Sequence, residues 1–365
     1  MLYIGLMSGT STDGVDAVLA DFSAPRRPQL LGSVSLPMPS DLRQTFLALN
    51  KPGYNELATA ALAGNELAEL YAQACLSLLD QTNTTAGQIN AIGAHGQTVR
   101  HNPAAGYTIQ INSPALLAQR TGIPVIADFR SRDVAAQGQG APLVPAFHHA
   151  LFSCEHPRAI LNLGGIANVT LLDGQGGILG FDTGPANVLL DLWIHAKTGQ
   201  DYDKNGAWAS GGRCHPGLLN HLISSEPWLS LPPPKSTGRD LFNWTWLSQR
   251  LEQYDTQELG DQDIQATLQM LTARTVTEAI SLYAPKAQEL IVCGGGAMNK
   301  GLMQDLQGLT HAQVLPSSEL GVPVQLVEAL AFAWLAWAHD QGQPAGLPAV
   351  TGASQATVLG CKYPA

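Results

Sequence analysis

Residues 2–22 read LYIGLMSGTSTDGVDAVLADF. Two apolar, strand-forming runs flank Ser8, Gly9, Thr10, Ser11, Thr12, Asp13 and Gly14. A tight hairpin needs about two special residues, so this row of small and polar positions exceeds what chain reversal demands. A turn of this kind presents backbone amides and hydroxyls in a concavity, which binds anions without a lysine. It matches neither common phosphate motif. A P-loop ends in Gly-Lys-Ser/Thr, yet the first lysine is Lys51. A dinucleotide fingerprint spaces its glycines G-x-G-x-x-G and opens a helix. Gly5, Gly9 and Gly14 are spaced otherwise, and the segment that follows reads as a strand. Asp13 and Asp16 cannot bind an anion directly, but they could hold Mg²⁺ through water.

The same plan of strand, glycine turn and strand recurs in AILNLGGIANVTLL, with Gly164 and Gly165 at its turn. The recurrence reads either as two halves of related topology facing one cleft or as the chance likeness of two glycine hairpins. Further strand-like runs are INAIGAHG, TIQIN and PVIADFR, then GILGFDTGPANVLLDLWI, ELIVCGGGAMN and AQVLP. A helical pattern covers residues 54–80. Strands alternating with helices indicate an α/β architecture, and 365 residues suggest about two domains. The expected division is 1–132, joined by 345–365, and 133–344. The run ALAFAWLAWA from Ala329 reads as a buried helix, because it is far shorter than the ~18 apolar residues of a membrane span. The proline-rich residues 229–243, LSLPPPKSTGRDLFN, are the clearest loop.

A net charge of −10 argues against a nucleic-acid surface, which needs clustered Lys and Arg. The five cysteines are odd in number, scattered and never in C-x-x-C. That pattern fits free thiols in a reducing compartment. No basic segment precedes the first apolar run, so the start does not read as a signal peptide. A cytoplasmic protein is expected, with no membrane partner. The histidines form neither H-E-x-x-H nor any Cys/His cluster, so no zinc site is expected.

Gly294, Gly295 and Gly296 follow an apolar run and precede a helical stretch. They read as a tight turn or as a place where a flat ligand nears the backbone at a helix start. Asp182 in GFDTGPANVLLD ends another run just before helical character resumes at Pro185. It reads as an N-cap or as a catalytic base at a strand end. The basic groups nearby are Arg100 and His101 in GQTVRH, and Arg130 and Arg132 in DFRSRD. An arginine there binds a carboxylate bidentately or forms a structural ion pair, for instance Arg132 with Asp128 or Asp133. His95, between Gly93 and Gly96, is expected in an exposed strand-end turn. Lys235 and Arg239 sit in a loop that lines a cleft or is merely solvated.

The three glycine turns, in this order, resemble the two phosphate segments and the adenosine segment of the actin, hexokinase and Hsp70 superfamily. Within it, GLMSGTSTDGVDAVL, GAHGQTVRH, DFRSRDVAAQGQGAPLVP, LNLGGIANVT, GFDTGPANVLLD, YDKNGAWA, PPKSTGRDLFN and CGGGAMN resemble the anhydro-N-acetylmuramic acid kinase family. GVPVQLVEALAFAWLA extends the likeness to residue 336. One departure is Gln137, where glycine is expected. The resemblance implies two actin/hexokinase-like domains of related topology around a nucleotide and sugar cleft. It implies ATP and Mg²⁺ as cofactors, an amino sugar as substrate and a homodimer. It assigns nucleotide contacts to Gly9, Thr10, Ser11, Thr12, Asp13, Gly14, Val15 and Asp16, to Gly164 and Gly165, and to Gly294, Gly295, Gly296 and Asn299. It makes Asp182 the base, and it gives sugar contacts to His95, Arg100 and Arg130. The family reaction opens a 1,6-anhydro bridge with water and phosphorylates O6.

Overall fold

The computed structural model describes residues 1–9, 12–256 and 258–365. The strands are β1 (Leu2–Met7), β2 (Gly14–Asp21), β3 (Gln29–Pro37), β4 (Ile89–Ala94), β5 (Gln97–Asn102), β6 (Tyr107–Ile111) and β7 (Val125–Ala127), then β8 (Arg158–Leu163), β9 (Ile166–Leu172), β10 (Ile178–Pro185), β11 (Glu289–Cys293), β12 (Gln313–Pro316) and β13 (Cys361–Tyr363). They fall into two compact units, Met1–Phe152 with Leu326–Ala365, and Ser153–Gln325.

The first unit holds a sheet of order β13-β7-β4-β1-β2-β3. β1, β2 and β3 form an antiparallel meander, and β4 and β7 extend it in parallel. The second unit has a sheet of order β10-β9-β8-β11-β12. Here β8, β9 and β10 are the antiparallel meander, with β11 and β12 added in parallel. Strand for strand the two sheets share one topology, with β13 an addition to the first. The repeated glycine hairpin is therefore a recurrence of architecture: β1-turn-β2 and β8-turn-β9 occupy the same place in their sheets.

Glycines in the first sheet explain one of its helix layers. Gly5 on β1 and Gly93 on β4 are register partners. A Cβ on Gly5 would collide with the carbonyl oxygen of Ala329, and one on Gly93 with that of Phe332. The helix Val327–Asp340 thus lies with its backbone against the strands, and it is buried from Ala329 to Ala338. Its own alanines permit the same closeness. The amphipathic helix Glu56–Gln81 buries Leu67, Tyr71 and Leu78 with the β1–β3 side chains in one core. In the second unit the helix Asp261–Tyr283 contributes Ala273, Val276 and Ile280 to the core beneath β8–β11.

The units divide at residues 152/153 and 325/326, not at 132/133 and 344/345. The helices Val144–Phe152 and Val327–Asp340 account for the difference, for they belong with the first unit. The segment from residue 345 is tied there through Asp133, which is fully buried. Its carboxylate accepts from Thr351 Oγ1 at 2.8 Å and from the Gly140 amide at 2.8 Å. Asp133 is thereby engaged by neutral donors. Asp128 accepts from Ser131 Oγ at 2.5 Å. Gln137, in the loop around Asp133, adopts φ +68°. A non-glycine residue in that region carries a cost of about 1–3 kcal/mol, so the departure from glycine is one of strain.

Candidate active site

In the second unit the carboxylate of Asp182 lies on β10, five residues before the helix Asn187–Thr198. That helix has Ala186 as its N-cap residue and no side-chain cap. The N-cap reading of Asp182 therefore fails, and helical structure resumes at Asn187, not Pro185. A bulge between Asp182 and Gly184 breaks the β9–β10 register, and such bulges re-aim side chains. Asp182 is 8 % exposed. Its Oδ2 accepts from Ser236 Oγ at 3.1 Å and from the Thr237 amide at 2.8 Å, while its own amide donates to the Lys235 carbonyl at 3.1 Å. The loop marked in the sequence for its cations thus reaches Asp182 through a hydroxyl and an amide. Lys235 Nζ donates to the Leu229 carbonyl at 2.8 Å and lies over the Trp228 ring. Burial lowers its pKa, and the charge of Asp182 opposes that shift.

The turn between β8 and β9 sits beside this carboxylate. The carbonyl of Gly165 accepts from the amides of Ala186 and Val188, and that of Gly164 from the amide of Asn187. The chain following Asp182 is thereby fastened to the glycine turn. A Cβ on Gly164 or Gly165 would meet nothing nearer than 3.7 Å. Neither residue has a positive φ. Nothing in the surrounding fold demands glycine at either position, and an approaching ligand would.

The triple glycine divides differently. Gly294 has φ +82°, and its Cβ would press on Asn162 Oδ1 at 2.6 Å and the Leu163 carbonyl at 2.7 Å. A Cβ on Gly296 would press on Leu163 Cβ at 2.6 Å. Both are glycine because the chain packs on the end of β8. Gly295 alone is open, with nothing nearer than 3.9 Å. Asn299 caps the helix Lys300–Leu309, accepting from the Leu302 amide at 3.0 Å, and its amide nitrogen donates to Gln269 at 3.0 Å.

In the first unit, Thr10 and Ser11 lie outside the described residues. The rest of the β1–β2 turn is held from beneath. Ser8 is buried, in hydrogen bonds to Tyr71 Oη and the Gly96 carbonyl, each at 3.1 Å. The Gly9 carbonyl accepts from the Thr12 amide at 3.0 Å and from Gln97 Nε2 at 3.1 Å. Thr12 has φ +56°. Val15 is buried, so only its backbone is offered to a ligand. Gly14 is needed where a Cβ would press on the Leu36 carbonyl at 2.6 Å. Asp13 is exposed, 3.5 Å from Arg43. Asp16 is partly buried and accepts from Ser35 Oγ at 2.5 Å; burial raises its pKa.

His95 is buried rather than exposed. Its Nε2 accepts from Arg130 Nε at 3.1 Å and Nη2 at 2.9 Å, and its Nδ1 lies 3.4 Å from the Ser8 carbonyl. Burial, with the Arg130 charge beside it, drives its pKa down to about 3. The ring is therefore neutral, protonated on Nδ1, and acts as an acceptor that aims Arg130. Arg130 Nη1 also donates to the Gly140 carbonyl at 2.8 Å. Arg100 is committed to Glu56 at 2.9 Å, an ion pair between β5 and the helix Glu56–Gln81. Gln97, Ser236 and Thr237, which contact Gly9 and Asp182, are the neighbours of candidate site residues that the sequence did not disclose. Gln97 sits inside GQTVRH, where the charged residues drew the eye, and hydroxyls in a loop carry no spacing signal.

The family description Anhydro-N-acetylmuramic acid kinase matches residues 1–365. The chain belongs to that family. A family member of Bordetella parapertussis, named anhydro-N-acetylmuramic acid kinase, is 60% identical over 364 residues, covering 100% of this chain and 96% of that one. One of Chromobacterium violaceum, of the same name, is 49% identical over 365 residues, covering 100% and 99%. Among solved structures, the activator of the 2-hydroxyisocaproyl-CoA dehydratase from Clostridium difficile with bound ADPNP is similar at TM-score 0.49 and 13% identity, covering 93% of this chain and 96% of that one.

Proposed function

We propose that the chain is an ATP-dependent kinase of cell-wall recycling. It opens the 1,6-anhydro bridge of anhydro-N-acetylmuramic acid with water and phosphorylates O6, giving N-acetylmuramic acid 6-phosphate. Family membership and the relatives' shared name support the substrate and the phosphoryl transfer. The observation that carries the chemistry is Asp182, a carboxylate at the bulge of β10 held by two donors beside glycines that the fold itself does not require.

In this reading Asp182 takes a proton from water as the water oxygen bonds to C1. The C1–O6 bond breaks, O6 bonds to the γ-phosphorus of ATP, and the bond from that phosphorus to the ADP oxygen breaks. An inverting glycosidase needs a second carboxyl group to protonate the departing oxygen. Here phosphorus captures that oxygen, and one carboxylate suffices as general base. Within the first unit the β1–β2 turn offers its amides to phosphate, and within the second the turn of Gly164 and Gly165 does. Gly295 leaves room for the flat face of the adenine. Within the first unit Arg130, aimed by His95, is suited to pair with a carboxylate such as the sugar's lactyl group.

Mg²⁺, when bound with the nucleotide, supplies charge that offsets the transferring phosphoryl group. Asp16 suits it better than Asp13: Asp13 is exposed beside Arg43, whereas Asp16 is partly buried with no basic partner among the described residues. A carboxylate of that kind holds Mg²⁺ through its retained waters.

The test is Asp182→Asn, which keeps size and the acceptor toward Ser236 but removes the base. Turnover should fall by roughly 10² to 10⁴, the span of a general base, while calorimetry finds ATP and sugar still bound. Near-normal turnover would remove Asp182 from the role.

A further inference from the structure

The second unit brings Glu289 to two metal-ligating groups, Cys154 and His156, that lie far from it in sequence. Cys154 and His156 lie on the connector entering β8, and Glu289 opens β11. Arg158 and Glu289 are register partners, which places the connector over the glutamate. Ligand atoms of Cys154, His156 and Glu289 all lie within 4.8 Å of one another. His156 Nε2 is 3.0 Å from Glu289 Oε2. Cys154 Sγ donates to the His156 carbonyl at 3.3 Å, so the connector folds back and turns thiol and imidazole to the same side. All three groups are partly exposed, so an ion can reach them.

We propose that Cys154, His156 and Glu289 form a binding site for a zinc-like divalent ion. Zinc takes thiolate sulfur, imidazole nitrogen and carboxylate oxygen at about 2.0–2.3 Å in tetrahedral array. Such bonds set ligand atoms roughly 3.3–3.7 Å apart, and side-chain rotation closes the present cluster to that spacing. The ion replaces the His156–Glu289 hydrogen bond and displaces the thiol proton to solvent. Water completes the fourth position. Arg158 donates to Glu289 through Nε at 2.7 Å and also through Nη2. It holds the carboxylate from outside, as partners of ligating carboxylates do. Its charge costs affinity, and the thiolate and carboxylate together offset it.

The site is separate from the proposed chemistry. β8 runs from Arg158 to Leu163, and the glycine turn follows its far end. At about 3.3 Å per residue, six residues put the cluster roughly 20 Å from that turn. An ion there fastens the connector entering the unit to β11, and so it stabilises the second unit without touching the reaction.

The experiment is isothermal calorimetry of the full chain, stripped with chelator, against Zn²⁺. Cobalt(II) absorption serves as a second readout, because a thiolate–cobalt charge-transfer band reports the sulfur directly. The wild-type chain should bind one Zn²⁺ at this site, gain melting temperature and show the band with Co²⁺. Cys154→Ser and His156→Gln should each weaken that binding at least tenfold, and Cys154→Ser should abolish the band. Cys361→Ser, at the exposed cysteine, should leave both readouts intact. Failure of the wild-type chain to bind, or equal binding by Cys154→Ser and His156→Gln, would overturn the proposal. Circular dichroism of each variant distinguishes a lost site from a lost fold.

Discussion

At the residue scale, the account turns on what surrounds one carboxylate. Ser236 Oγ and the Thr237 amide converge on Asp182 Oδ2. A hydrogen bond to a charged group contributes about 1.5–3 kcal/mol. If Ser236 positions the base, Ser236→Ala should lower kcat by roughly tenfold or more, with KM for both substrates little changed, and Ser236→Thr should restore most of the loss. A rise in KM at constant kcat would assign Ser236 to binding instead. The glycines show how a residue can mislead. Three in a row at 294–296 suggested a ligand, yet two of them answer to Asn162 and Leu163 of the neighbouring strand. At Gly164 and Gly165 the sequence offered only two, and there the fold makes no demand of its own.

At the element scale, a pair of substitutions separates glycine required by packing from glycine reserved for a ligand. Gly93→Ala forces a methyl group into the Phe332 carbonyl of the overlying helix and should cost about 3 kcal/mol or more, as overpacking of a backbone contact does. Gly165→Ala has room and should change stability by no more than about 0.5 kcal/mol. It should nonetheless weaken ATP binding measurably. Urea midpoints and nucleotide titration read the two effects. Equal destabilisation by both would undo the distinction. The same contact explains what the sequence concealed. Strands β1, β2, β4, β6, β7 and β8–β12 were legible from apolar runs. β3 was not, because Gly32, Ser33 and Ser35 dilute its apolar side chains, and three-residue β13 holds the charged Lys362. The helix Val327–Asp340 was legible as buried, but its sheet was not. That information resides in Gly5 and Gly93, distant in sequence and adjacent only in register. The unit boundary expected at 344/345 therefore moves to 325/326.

At the scale of the whole molecule, two buried histidines of the first unit contribute to its response to acid. Burial drives the pKa of His148 to about 3, and burial with the Arg130 charge does the same to His95. In the unfolded chain each titrates near 6.5. The folded values are depressed, so between about pH 6.5 and pH 3 the unfolded chain binds the extra protons. The stability contributed is complete above the unfolded pKa and is lost as pH falls toward the folded one. His148→Leu, with Phe147 and Phe152 around it, should flatten the fall of the urea midpoint on acidification. An unaltered slope would mean that His148 does not titrate on unfolding. The two glycine hairpins were legible, because strand–turn–strand composition is local, but the sheet topology they share was not, since the likeness read equally as chance. The roles of His95 and Arg100 were not, since partners 35 and 44 residues away decide them. The central claim joins water attack at C1 to phosphoryl transfer at O6 in one turnover. It is tested most directly by the mass of the product formed from anhydro-N-acetylmuramic acid, ATP and Mg²⁺ in ¹⁸O-water. The account predicts one ¹⁸O on C1, none in the phosphate ester, and one ADP for each sugar. A phosphorylated sugar without label at C1, or a labelled sugar formed without ADP, would contradict it.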